Sequence, residues 1–168
     1  LAWAGSKKGS GQSIASWLRL LDCADVRQAM FAVRKTPQPT LNWIFADREG
    51  HIGRQASGWI PRRQSGQSGL VPAPGWRHEN HWKGWIDADQ LPSSYDPPEG
   101  FVLAANESVN HPDGPPINTL FLPDYRYRRI RERLTELPRA TVDDFKALQY
   151  DVVSLQARDL LKIFLPHL

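Results

Sequence analysis

The 168-residue sequence has one cysteine, Cys23, so no internal disulfide can form and the redox compartment stays undecided. It has no apolar run approaching the roughly 20 residues of a membrane helix. It carries little excess of either charge: the formal net charge is +3, and charge alone implies no polyanionic partner. A secretory leader pattern is also absent. However, the sequence opens on Leu1, without Met, in "LAW", which reads as the interior of a longer polypeptide. A fragment or processed piece is expected, and the missing leader then carries no information on location. No internal repeat is present.

What the sequence does have is proline and tryptophan, fourteen and seven residues respectively. Pro61, Pro72, Pro74, Pro92, Pro97 and Pro98 exclude regular helix from residues 58–98, because proline lacks the N–H and clashes with the preceding turn. A passage that long without regular structure is usually functional or part of a larger assembly. On either side of it the pattern is regular. "AGSKKGSGQS" (4–13) reads as an exposed loop. Ile14, Trp17, Leu18 and Leu21 then share one helical face. Asp25 with Gln28 resembles a capping box for a second helix that buries Val26, Ala29, Met30 and Val33 and stops near Thr36. "LNWIFAD" (41–47) and "HIGRQAS" (51–57) predict two strands joined by "DREG", with Gly50 taking positive φ. The last third is helical: an arginine-rich helix through Tyr127, Ile130, Arg131 and Leu134, one capped by Thr141, and one over Ser154–Phe164 ended by Pro166.

"GFVLAANES" (100–108) poses the functional question. Phe101–Ala105 predict a buried strand, yet it runs straight into Asn106, Glu107 and Ser108. Read from these residues alone, Asn106 closes the strand by bonding local backbone.

Several other constellations point to bland roles. His78 and His81 have H-x-x-H spacing, but Pro74, Gly75 and Gly84 place them in loop, and two exposed histidines are the better reading than a metal site. Cys23 reads as a small apolar residue near a helix junction. The arginines from Arg126 to Arg133 are diluted by Glu132 and Glu136 and lack the basic-aromatic surface of nucleic-acid domains, so a solvated helix face is preferred to phosphate contact. Trp76, Trp82 and Trp85 pack a long loop on the core. If they instead form one open flat face, together with the arginine helix they suit a non-catalytic module for a carbohydrate or acidic partner.

Taken together, "LNWIFADREGHIGRQASGWIPRR", "GLVPAPGW", "WKGWI", "LPSSYDPPEGFVLAANES", "YRYRRIRERL" and "LQYDVVSLQARDLLKIFLP" resemble, in order and spacing, the penicillin acylase family of N-terminal nucleophile hydrolases. The resemblance covers nearly the whole chain and corresponds to part of the nucleophile-bearing β subunit. It implies an α+β fold: a fragment of the four-layer α/β/β/α sandwich, with residues 1–168 as a single partial domain. It also implies hydrolysis of a linear acyl amide. In this family a Ser freed by self-cleavage attacks the amide, and its own α-amine, with an unperturbed pKa of about 7.7–8.0, takes the proton.

The resemblance assigns residues as well. Asn106 matches the side-chain donor of the oxyanion hole, which answers the question posed by 100–108. Arg126 matches an arginine that orients polar groups near the nucleophile. Trp3 and Leu41 match positions lining the acyl pocket, and Asn42 is a polar neighbour of that pocket. The nucleophile itself is missing: Leu1 has no nucleophilic atom, and Ser6, Ser10 and Ser13 lack the family's surrounding pattern. It is expected upstream, so this chain alone should be inactive and should leave apolar surface bare on a sheet face. No cofactor is required by this chemistry. A structural calcium ion is a family feature, and the Gly69 carbonyl and Asp113 carboxylate fall near matching places, without defining a metal site. The implied partners are a small acyl amide and the remaining segments of the same precursor, with no nucleic acid and no membrane span. The implied location is periplasmic or secreted.

Overall fold

The alternation over residues 41–57 produces the hairpin it predicts. β1 (Leu41–Ala46) and β2 (Ile52–Ser57) pair antiparallel, from Leu41 opposite Ser57 to Ala46 opposite Ile52. Gly50 closes the turn with φ 92° and donates its N–H to the Asp47 carbonyl. That φ costs glycine nothing and strains other residues. The structure, a computed structural model, describes residues 2–64 and 66–167. Leu1, whose lack of a nucleophilic atom was noted above, lies outside the described residues.

The chain forms two compact units, one of Leu1–Val102 with Val109–Leu120, the other of Leu103–Ser108 with Phe121–Leu168. In the first, a short strand β3 (Ser93–Tyr95) adds to β2 and gives the sheet order β1-β2-β3. It lies within the passage expected to be irregular, and three residues are too few to show a period.

α1 (Gln12–Leu18) forms at the predicted place but turns the other way. Its buried residues are Ser13 and Ser16, while Ile14 is 63% exposed and Leu21, in the following 3-10 turn, is 83% exposed. Ser13 Oγ donates to the Ser10 carbonyl and accepts from the Gln38 N–H, so the hydroxyl side docks, while Ile14, Leu18 and Leu21 face outward and Trp17 keeps an edge contact with Trp43. α2 (Val26–Arg34) follows its pattern: Val26, Ala29 and Val33 are buried and Met30 is half-buried. Asp25 caps it by accepting from the Gln28 N–H at 2.8 Å, and the Gln28 side chain reaches back to the Ala24 N–H. α2 lies so close to β2 that a Cβ on Gly53 would come within 2.5 Å of Met30 Sδ and 2.6 Å of Val26 Cγ1. Glycine is required there by that approach.

The centre of this unit is Ala56, Ile60, Ile86 and Leu91, with Ile117 packed against it. Each fully buried aliphatic chain of that kind contributes about 1.5–3 kcal/mol over an exposed one. On the sheet face that carries Asn42 and Ile44, Ile44 is 51% exposed, so apolar surface is left bare there as expected.

The second unit is α3 (Tyr125–Thr135), α4 (Val142–Gln149) and α5 (Leu155–Phe164). Thr141 forms a full capping box with Asp144, and Ser154 caps α5 by accepting from the Ala157 N–H. Thr141 holds the Asp144 carboxyl below its ordinary pKa by donating to it through its side chain and its N–H. Leu134 and Leu155 are buried. Arg129 donates twice to Asp151 Oδ2, at 2.6 and 3.1 Å, tying α3 to the turn before α5. That bonding, joined by the Val153 N–H, lowers the Asp151 pKa.

One predicted element is absent. Residues 101–105 are not in a strand. An extended apolar segment becomes a strand only when a neighbour completes its backbone ladder, and among the described residues the sheet stops at β3. Helices and a small antiparallel sheet make the chain α+β.

Candidate active site

Ala105, Asn106 and Glu107 form a bent turn rather than the end of a strand. Asn106 has φ 64°, in the left-handed region. That conformation costs an ordinary residue about 1–2 kcal/mol, and asparagine is among the few that adopt it. The turn persists because its polar groups are engaged from several sides. The Leu122 N–H donates to the Asn106 carbonyl at 3.0 Å. The Ala105 N–H donates to Glu107 Oε2 at 2.7 Å. From the first turn of α3, Arg126 Nη2 donates both to the Ala105 carbonyl, at 3.2 Å, and to Asn106 Oδ1, at 2.5 Å.

The last contact decides which way the Asn106 amide faces. The two ends of a carboxamide look alike in shape, so orientation has to follow from the partners. A guanidinium has five donors and no acceptor. Only Oδ1 can therefore face Arg126, and the NH2 group is directed away from it. Asn106 is exposed, and among the described residues its Nδ2 has no acceptor. The result is a carboxamide donor with its rotation fixed by a charged, short bond. Such a group can stabilise an oxygen that becomes negative during a reaction. On the same unit, a cleft of about 390 Å3 runs beside Arg126, walled by Tyr125, Ile130, Leu148, Val153 and Leu155.

Of the residues singled out from the sequence, Asn106 and Arg126 are brought together across 20 residues of chain. Leu41 and Asn42 are neighbours at the start of β1 and point to opposite faces. Leu41 lies on the Trp43 side, while Asn42 Oδ1 accepts from Arg54 at 3.3 and 3.4 Å. Trp3 is 61% exposed, and its ring lies over Gly5, where a Cβ would come closer than any normal contact. Sequence reasoning gave no role to Glu107 or to the Leu122 amide, both of which hold the Asn106 turn. A side chain that folds back on the second residue before it leaves no periodic signal. Its only trace is a polar residue directly after an asparagine.

Gly69 and Asp113 do not by themselves make a calcium site. A Cβ on Gly69 would lie 2.7 Å from Arg63 Nε, so a guanidinium already stands beside that residue. Among the described residues no group of three or more metal-binding side chains exists. A hard cation of this kind needs six to eight oxygens. His78 and His81 form a 3-10 turn and an edge contact, their ring centroids 5.1 Å apart, and one nitrogen of His81 bonds the Gly75 carbonyl. The tryptophans do not make one flat face. Trp82 is tilted 60° to Trp85, Trp85 stacks on Trp59 at 5.2 Å, and Trp76 stands apart from these contacts, 83% exposed.

Comparison with known proteins gives a consistent answer. The family model for penicillin amidase matches residues 1–167. Penicillin acylase 2 proenzyme of Pseudomonas sp. (strain SE83) is 38% identical over 67% of this chain and 15% of its own length. Acyl-homoserine lactone acylase QuiP of Pseudomonas aeruginosa is 30% identical over 98% of the chain and 19% of its length. Penicillin G acylase of Escherichia coli is 30% identical over 99% of the chain and 20% of its length. The chain thus spans about one fifth or less of these curated relatives. The thermostable penicillin G acylase structure from Alcaligenes faecalis superposes with a TM-score of 0.68 at 24% identity, covering 82% of this chain and 25% of that one, which shows the fold.

Proposed function

The chain belongs to the penicillin amidase family, and we propose that it forms part of an amide hydrolase, with Asn106 as an oxyanion-hole donor and Arg126 as the group that aims it. The bond cleaved is a linear acyl amide, of the kind in a penicillin side chain or a similar N-acyl compound. The nucleophile is an N-terminal Ser on polypeptide outside this chain. Its hydroxyl attacks the amide carbonyl, its α-amine takes the proton, and the carbonyl oxygen becomes negative. Asn106 Nδ2 donates to that oxygen while Arg126 holds Oδ1 in place. Collapse of this intermediate expels the amine, and water then releases the acyl group through a second oxyanion at the same donor. Trp3 and Leu41 contribute apolar contacts to the acyl group, and Asn42 is a polar neighbour already engaged by Arg54. The remaining segments of the same precursor complete the enzyme, in a periplasmic or secreted setting. Among the described residues no helix is long and apolar enough to cross a membrane.

The observation supporting this most strongly is the Arg126–Asn106 bond at 2.5 Å, which leaves one end of a rigid carboxamide as an outward donor. The test uses the full-length protein that carries this chain and a panel of N-acyl p-nitroanilides, from acetyl to dodecanoyl and including phenylacetyl. Asn106→Ala is expected to lower kcat by about 10²–10³ with little change in KM. An unchanged kcat in matured Asn106→Ala enzyme would remove the proposal.

A further inference from the structure

We propose that Glu107 is a positioning residue that sets the backbone angle of Asn106 and so places the oxyanion donor. The inference rests on the reading of Asn106 given above. Glu107 Oε2 accepts from the Ala105 N–H at 2.7 Å. Arg126 Nη2 donates to the Ala105 carbonyl at 3.2 Å. Ala105 itself is buried, 7% exposed. Both of its backbone groups are therefore withdrawn from water and satisfied by side chains of opposite charge, a carboxylate on the N–H and a guanidinium on the carbonyl. Together these fix the residue before Asn106, and the left-handed angle at Asn106 follows because the Glu107 side chain has to fold back past it. Arg126 fixes the amide rotation; Glu107 fixes the peptide that carries it. Without the carboxylate the Ala105 N–H has to seek another acceptor, and the turn relaxes towards an ordinary negative φ that carries Nδ2 off its target. In this assignment Glu107 touches no reacting atom and acts on turnover through Asn106.

The prediction is specific to kcat and to the Asn106 background. In matured full-length enzyme, assayed with the p-nitroanilide it cleaves fastest, Glu107→Ala should lower kcat about tenfold with KM within about twofold. Glu107→Gln retains an acceptor oxygen and should return kcat to within about threefold of the parent, the remainder reflecting a neutral rather than charged bond. In an Asn106→Ala background Glu107→Ala should cause no further loss, because residues acting through one group are not additive. If Glu107→Ala does not accumulate as matured enzyme, Glu107→Asp, too short to reach the Ala105 N–H, carries the same test. An unchanged kcat, a loss that multiplies in the Asn106→Ala background, or failure of Glu107→Gln to rescue overturns the assignment. If Asn106→Ala keeps full activity, the oxyanion reading falls and this inference with it. If Asn106→Ala is crippled while Glu107→Ala is not, only the role of Glu107 falls.

Discussion

The two compact units keep their order by different means. In the unit around the β1–β2 hairpin, a continuous apolar centre of Ala56, Ile60, Ile86 and Leu91 is backed by α2 on the sheet. In the helical unit, directional charge pairs tie α3 to α5 and to the turn before it: Arg128 to Asp159, Arg158 to Glu132, and Arg129 to Asp151. Leu160, Leu161, Ile163 and Phe164 of α5 remain exposed. The candidate site sits on the second kind of framework. Its turn is held by hydrogen bonds donated by Arg126 and Leu122 and one accepted by Glu107, rather than by close packing of large side chains. A packed centre tolerates small angular change as long as volume is kept. A donor aimed by a guanidinium depends on each bond separately.

That contrast can be broken region by region in the full-length protein, with hydrogen exchange read peptide by peptide and corrected for the intrinsic effect of pH. Ile60→Ala should cause the largest change, a loss of about 2–5 kcal/mol in protection confined to the hairpin unit. Protection lost equally in α3 and α5 would show that the units do not differ as described. Arg126→Met should come next. It frees the Asn106 amide to rotate, and a misplaced donor of this sort costs about 10²-fold in kcat. Hairpin protection should not change, and a variant with full activity would contradict the aiming role.

Asp151→Asn should loosen the start of α5 while leaving β1 and β2 unaffected. The same region should respond to acid in the parent. The Asp151, Asp159 and Glu132 carboxyls are lowered, in each case with an arginine or lysine side chain as the first cause. Their stabilisation is present above the ordinary carboxylate pKa of about 4 and is lost as pH falls through the lowered values. The smallest effect belongs to His51. The Asp96 carboxylate bonded to it at 2.7 Å raises its pKa, with Asp47 adding and Arg27 opposing. Its stabilisation is complete below about pH 6.5 and fades as pH rises through the raised value. Hairpin-turn protection should decline over that range in the parent and stay flat in His51→Gln; a decline that persists in the variant would assign the effect elsewhere.

Local chemistry was legible in the sequence where one element carries its own signal. The hairpin with Gly50, the Asp25 and Thr141 caps and the Ser154 start of α5 all fall where turn and cap residues place them. Which way an element faces was less legible. Ile14, Trp17, Leu18 and Leu21 mark a helix correctly, yet Ser13 and Ser16 are its buried residues, because a stripe records what can be buried and not what is present to bury it. Residues 101–105 have strand composition but no ladder partner in the sheet that ends at β3. The meeting of Asn106 and Arg126 has no period to reveal it and was reached only through the family resemblance. Glu107, which the resemblance did not mark, shows its role only in the folded turn, where it accepts from the Ala105 N–H.

The most direct measurement is a crystal structure of the full-length protein with a boronic acid analogue of its best acyl group bound as a tetrahedral adduct. Asn106 Nδ2 should lie about 2.7–3.1 Å from one boronate oxygen, with Arg126 still on Oδ1. An adduct whose oxygens are all bound by other donors, with the Asn106 amide turned to solvent, would contradict the account.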